Sequence, residues 1–173
     1  FNSIEFSLLG AYKNGVLIGK IGETSGYLDF DPGAPEKISG KITVLTKSAQ
    51  ANSPQVDAFL RGPYLFDAQR FPLISFVVDK TANCRRFGQS TQLDVVGELT
   101  IKGVTRKISF PAQLDYLPGK LEARRGIEGD LLVVQGEFFI KRSNFDIGAG
   151  RFLVKAADEV KIALKLIGAA PKK

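Results

Sequence analysis

Apolar residues recur along this chain at every second position, over one stretch after another. Ile4, Phe6 and Leu8 share a face, as do Ile38, Gly40, Ile42 and Val44, and Ile74, Phe76 and Val78. Leu93, Val95, Gly97, Leu99 and Ile101 repeat the pattern, followed by Val104, Arg106, Ile108, Phe110, Ala112 and Leu114. Leu132, Val134, Gly136, Phe138 and Ile140 form another run, and Val160, Ile162, Leu164 and Leu166 close the series. Side chains alternate between the two faces of a strand, so each run predicts an antiparallel strand with one apolar and one wet face. Turn signals fall between the runs, at Lys13-Asn14-Gly15, Asp31-Pro32-Gly33, Lys102-Gly103 and Leu117-Pro118-Gly119.

One segment breaks the rhythm. Ser53 is a helix N-cap, Pro54 suits the first helical position and Gly62 marks the exit, which predicts a short helix; Asp67 to Arg70 reads as a second candidate. The fold class is therefore all-β, a barrel or a sandwich with a short helical insertion. We expect an extended antiparallel, lipocalin-like β-barrel, because closure removes the exposed edges of long strands. At 173 residues the chain is expected to form a single domain over residues 1–173.

Composition narrows the chemistry. With no histidine, Ser-His-Asp, Cys-His and His-metal mechanisms are excluded. A single cysteine excludes an internal disulfide and any multi-thiolate metal site. Thirteen Phe without Trp or Met place the aromatic load on a ring that needs no hydrogen-bond partner. No apolar run approaches the roughly 18 residues of a membrane span, and Phe1 opens without a signal-peptide pattern. The expectation is a soluble chain whose export signal has been removed.

Weaker signals add little. The net charge of +6 is spread over the pairs Arg85-Arg86, Arg124-Arg125, Lys141-Arg142 and Lys172-Lys173, with no interleaved aromatic platform, so a nucleic-acid partner is not expected. The charge reads first as a solvated surface without a role, and mild attraction to an anionic membrane surface is the alternative use of it. Cys84 reads as an incidental thiol in a polar connection. Asp29 and Asp31 offer too few oxygens for calcium, and Gly19 to Gly22 lacks phosphate-loop spacing. No metal or cofactor is expected.

Four segments carry a family resemblance: Gly26 to Pro32 (G-Y-L-D-F-D-P), Asp57 to Phe76, Gly97 to Arg106 (G-E-L-T-I-K-G-V-T-R) and Arg142-Ser143-Asn144-Phe145. Together with the final alternating strand, they make the chain resemble the YceI-like family of polyisoprenoid-binding, lipocalin-like proteins over nearly its whole length. It departs from the family pattern at Asn2-Ser3, where a His-Ser pair is typical, and at Lys20 to Glu23, in place of Gly-x-Phe. The resemblance implies an elongated barrel that holds a long-chain isoprenoid or similar lipid, without catalysis, after export to the periplasm. A homodimer is also implied.

On that reading the ligand-lining set is Phe6, Ile42, Phe59, Leu60, Phe66, Phe71, Phe76, Val78, Leu99, Ile108, Phe110, Phe138, Ile140, Phe145, Ile162 and Leu164. From the residues alone, the same rings read first as a solid core, the usual fate of strand aromatics. Arg61, Arg70 and Arg142 with Asp57 and Asp67 form either an ionic collar at the cavity mouth or structural pairs that tie the helical insertion down. Arg106 falls on an apolar face and is expected to snorkel to solvent. Ser53 to Phe71 is a candidate gate. Two other classes stay open: an enzyme using Asp67 or Glu98 as a carboxylate base, and an interaction module without ligand.

Overall fold

The computed structural model describes residues 2–10, 15–148 and 156–172; Lys13 and Asn14 of the first expected turn lie outside them. Among the described residues, ten antiparallel strands make one sheet. They are β1 (Ser3–Leu9), β2 (Val16–Ile21), β3 (Thr24–Asp29), β4 (Ser39–Leu45), β5 (Ala49–Gln50), β6 (Leu73–Phe87), β7 (Ser90–Ile101), β8 (Val104–Leu117), β9 (Gly129–Lys141) and β10 (Glu159–Pro171). Helix α1 (Pro54–Arg61) lies between β5 and β6, and α2 (Lys120–Arg125) between β8 and β9. The strand order is β3-β4-β6-β7-β8-β9-β10-β1-β2-β5, with every pairing antiparallel.

The alternating runs became β1, β4 and β6 to β10. Three strands lacked the signal. β2 opens Val16-Leu17-Ile18, apolar on consecutive positions; β3 is polar and mostly exposed; β5 is two residues long. Strand register lines the inward residues up across the sheet: Phe76 faces Leu99, Val95 faces Phe110, and Ile162 lies between Phe138 and Phe6. The β7–β8 hairpin turns on Lys102 and Gly103, both with positive φ (50° and 74°), as a twisted two-residue loop needs.

Helix α1 starts as its sequence dictates, with the Ser53 side chain accepting from Val56 N–H at 3.3 Å and Pro54 in the first turn. Asp67 to Arg70 is not a helix. It is a tight turn in which Arg70 and Phe71 N–H both bond the Asp67 carbonyl, with Asp67 at φ 47°. Cys84 is also placed differently from expectation. It lies within β6, beside register shifts at Val78/Lys80 and Ala82/Arg85, half-buried against the interior. Helix α2 has six residues and buries only Leu121, too short for a helical period to show.

The interior has two halves. One gathers Leu60, Leu65, Phe145, Ile101 and Ile140 near α1; the other gathers Ile38, Leu93, Val95, Leu114 and Val134. Phe76, Ile108 and Phe138 pack against both and form a waist.

The sheet curls as a barrel must, but its ladder is not continuous: β3 and β5 are its ends. The chain crosses that discontinuity at Gly22-Glu23, where β2, paired with β1, passes into β3, paired with β4. Glu23 pins the corner by accepting from Leu45 N–H at 2.9 Å and donating its own N–H to Ser48 Oγ at 3.2 Å.

Candidate functional site

The inward faces enclose a cavity of about 180 Å³ whose lining side chains are apolar with one exception, Arg142. A cavity of comparable size lined by Leu, Ile and Phe stays dry and accepts an apolar ring. Water gains nothing here, because it would find no hydrogen-bond partners along the wall.

Of the residues expected to line it, Phe6, Ile42, Leu60, Phe66, Phe76, Val78, Leu99, Ile108, Phe110, Phe138, Ile140, Ile162 and Leu164 do so. Phe59, Phe71 and Phe145 do not. On α1 only one of two neighbouring residues can point inward; Leu60 does, and Phe59 stays 36% exposed. Phe71 covers the Lys102-Gly103 turn, its Cε1 so close that a Cβ on Gly103 would meet it at 2.9 Å, with the Arg70 guanidinium 5.3 Å from its ring centre. Phe145 is buried in the core behind the wall, on the short 3-10 turn Arg142–Phe145. The wall also includes Ile4, Leu8, Leu17, Ile21, Leu28, Ile38, Val44, Leu65, Ile74, Val95, Ile101, Leu114, Val134, Ile147, Val160 and Leu166. Many of these were already legible as the apolar half of an alternation; Leu17 and Leu28 were not, lying in strands the pattern missed.

Glycines keep the space open. Gly19 lies opposite Phe6, and a Cβ there would sit within 2.7 Å of Phe6 Cε1 and Cε2. At Gly97 a Cβ would come within 2.5 Å of Phe76 Cζ, and at Gly136 within 3.3 Å of Phe110 Cε2. Each ring lies over a bare stretch of backbone instead of projecting across the lumen. Phe110 stacks on Phe138 (4.3 Å between centres) and tilts against Phe76 (5.5 Å), which builds the waist.

Of the two readings of these arginines and aspartates, the structural pairs hold. Arg61 donates Nε–H to the Ala49 carbonyl (2.9 Å) and lies 3.9 Å from Asp57, and Arg70 lies 3.5 Å from Asp67. The Arg61 bond to Ala49, together with Asp57 accepting from Ala51 N–H, ties α1 to β5 and the residue after it, while the Arg70–Asp67 pair is internal to its turn. Arg142 lines the cavity with its stem while its guanidinium donates to backbone carbonyls of Ala157, Ile147, Gly148 and Ala156 at 3.0 to 3.3 Å. Arg106 is exposed, its Nη1 on the Thr105 carbonyl. Together, buried Leu60 and Leu65 with Phe66, set edge-on to Phe6 at 5.8 Å, fill the α1 end of the interior.

Neither carboxylate weighed as a base faces the cavity. Glu98 is exposed on the outer side of β7, and Asp67 is buried in its own turn. The carboxylates with displaced pKa values are also elsewhere. The Tyr116 hydroxyl (2.6 Å) and Gly119 N–H hold Asp130 below the usual range, and Ser143 does the same for Asp158 through its hydroxyl and N–H. Among the described residues, no group of three or more metal-ligating side chains converges, and no helix is long and apolar enough to cross a membrane.

This architecture is that of a lipocalin-like antiparallel barrel with an apolar interior. The chain belongs to the YceI-like family: residues 2–167 match its domain. The protein YceI of Salmonella arizonae is 26% identical over 161 residues, 90% of this chain and 75% of that protein. The crystal structure of BcnA from Burkholderia cenocepacia superposes with a TM-score of 0.79 at 23% identity, covering 96% of each chain. A polyisoprenoid-binding domain from Saccharophagus degradans superposes with a TM-score of 0.75 at 16% identity, over 98% of this chain and 94% of that one.

Proposed function

We propose that this protein binds a long-chain isoprenoid, of polyprenyl or quinone type, or a similar lipid in the barrel interior and carries or stores it without transforming it. The observation that carries the proposal is the cavity wall, apolar but for an arginine whose donors are engaged by backbone carbonyls. Burying a prenyl chain against such a wall is favourable by about 25 cal/mol per Å² of apolar area. The structural likeness to a polyisoprenoid-binding domain points the same way. Carboxylate catalysis is disfavoured because Asp67 and Glu98 face away from the lumen. We further propose a periplasmic location, transient contact with anionic membrane surfaces through the +6 net charge, and a homodimer.

Denaturing extraction of the purified protein followed by mass spectrometry tests the central proposal. A stoichiometric long-chain lipid is the expected result. Protein that is empty, and that also fails to take up prenyl chains when offered them, would refute it.

A further inference from the structure

The ladder leaves one side of the barrel unstitched. Strand β1 covers only the first half of β10, from Leu8 opposite Val160 to Ser3 opposite Lys165, whereas β9 accompanies β10 as far as Pro171 opposite Gly129. From Leu166 onward β10 therefore has a strand on one side only. Strand β3 has the matching property, being paired with β4 from Thr24 opposite Val44 to Asp29 opposite Ser39 and ending the sheet on its other side. Because β10, β1 and β2 alternate in direction and β3 continues from β2, these two free edges run the same way where closure would have to occur. Among the described residues, no backbone hydrogen bond joins them.

Among the described residues, one side chain hydrogen-bonds across the gap. Asn2 Oδ1 accepts from Ile167 N–H at 2.8 Å, and Asn2 Nδ2 donates to Thr24 Oγ1 at 2.7 Å. Past this bridge the β10 edge carries little bulk, Gly168, Ala169 and Ala170 all being exposed, while on the β3 edge Gly26 is followed by Tyr27, which is itself exposed to solvent. Pro171, which has no N–H to leave unpaired, suits an edge that nothing pairs. Immediately inside, Leu28, Leu164 and Leu166 belong to the cavity wall. The α1 end, by contrast, is filled by Leu60 and Leu65 at 1% and 4% exposure.

We propose that the lipid enters and leaves sideways through the slot between β3 and the C-terminal half of β10, with the Asn2 amide as its latch. This rests on the lipid-binding reading above. Opening the slot breaks two side-chain hydrogen bonds, shifts the half-buried Leu28, Leu164 and Leu166 and breaks no strand ladder, whereas opening the α1 end means unpacking the fully buried Leu60 and Leu65. A flexible apolar chain can pass between strand edges along its length, which a rigid ring system of the same volume cannot.

The test is the rate at which a fluorescent prenyl analogue, loaded into the full chain, transfers to unlabelled phosphatidylcholine vesicles. Asn2→Ala is expected to release about tenfold faster. Val56→Ala, which thins the packing of α1 without touching the cavity wall, is expected to release at the unmodified rate. Unchanged release in Asn2→Ala, or equal acceleration in Val56→Ala, would overturn the proposal. A second variant, Ser25→Cys/Ala169→Cys in a Cys84→Ser background, is bridged across the slot by a flexible reducible thiol cross-linker. Release should slow at least tenfold on bridging and recover on reduction, in keeping with the latch estimate; release indifferent to the bridge would also overturn it. If the unmodified protein takes up no analogue, the lipid-binding reading itself has failed, which is a different result from unaltered kinetics.

Discussion

Replacing Gly19 by alanine puts the smallest side chain where the barrel has room for none. The Phe6 ring lies over Gly19, its register partner, and the new Cβ would fall within 2.7 Å of Cε1 and Cε2 and closer still to Cζ. Carbon atoms settle at about 3.5 to 4.0 Å, so the ring must move by roughly an ångström or more. Phe6 is 7% exposed and Phe66 packs edge-on to it, so the open direction is the 180 Å³ cavity. Two effects compete. Gly to Ala within a strand gains about 0.5 to 1 kcal/mol from backbone entropy, while overpacking costs about 1 to 3 kcal/mol. The expected net runs from about zero to about 2.5 kcal/mol of lost stability by urea unfolding, together with weaker uptake of a fluorescent prenyl analogue as the ring occupies the lumen. A double-mutant cycle with Phe6→Leu isolates the clash and should give a coupling of about 1 kcal/mol or more, because the shorter side chain removes it. If Gly19→Ala stabilises the protein and leaves uptake unchanged, the glycine seat does not keep the lumen open.

Two further outcomes follow from the packing and the charges. Leu65→Ala should lower stability by about 2 to 5 kcal/mol, since Leu65 is 4% exposed within the packed α1 end; a shift in urea midpoint worth under 0.5 kcal/mol would mean that end is loose. Stability should vary little between about pH 5.5 and 8, as no histidine titrates there. Asp130 and Asp158 have folded pKa values below the ordinary 3.8, so their contribution is present above that value and disappears as pH falls through their lowered pKa values. Tyr116, raised above its ordinary 10.0 by its bond to Asp130, contributes below pH 10 and loses that contribution as pH climbs through its raised pKa. Melting temperatures across the pH range check both limits, and a broad transition centred near pH 6.5 would contradict them.

Strand alternation is local physics, and it was legible directly: Leu93 to Ile101 and Leu132 to Ile140 read as strands because one face must leave water whatever the partner. The cap of α1 and the Lys102-Gly103 turn were legible for the same reason, since each is decided within a few residues. Membership of the lining set followed from alternation for Phe76, Phe110 and Phe138, and failed for Phe59, Phe71 and Phe145, which lie in the helix, the turn and the 3-10 segment, where period two does not apply. Strands β2 and β3 were hidden because residue type does not follow the faces there, β2 carrying apolar residues on its wet face and β3 few apolar residues at all. Val16 and Ile18 stay exposed while Leu17 faces the cavity, and β3 is largely exposed.

What the tertiary structure alone decided depends on which residues meet across the sheet. The placement of Gly19, Gly97 and Gly136 beneath Phe6, Phe76 and Phe110 is a matter of register, and a one-residue slip would dissolve it. Arg142 reads in sequence as one more cation beside Lys141; only folding brings the carbonyls of Ile147, Gly148, Ala156 and Ala157 around its guanidinium and turns a candidate collar into a structural tie. The open side of the barrel is likewise invisible in the chain, because it arises from a mismatch in length between β1 and β10 and from Asn2 reaching a residue 165 positions away. Periodicity determines which face a strand buries, whereas closure depends on where strands end relative to one another, and that is set by the packing of the whole sheet.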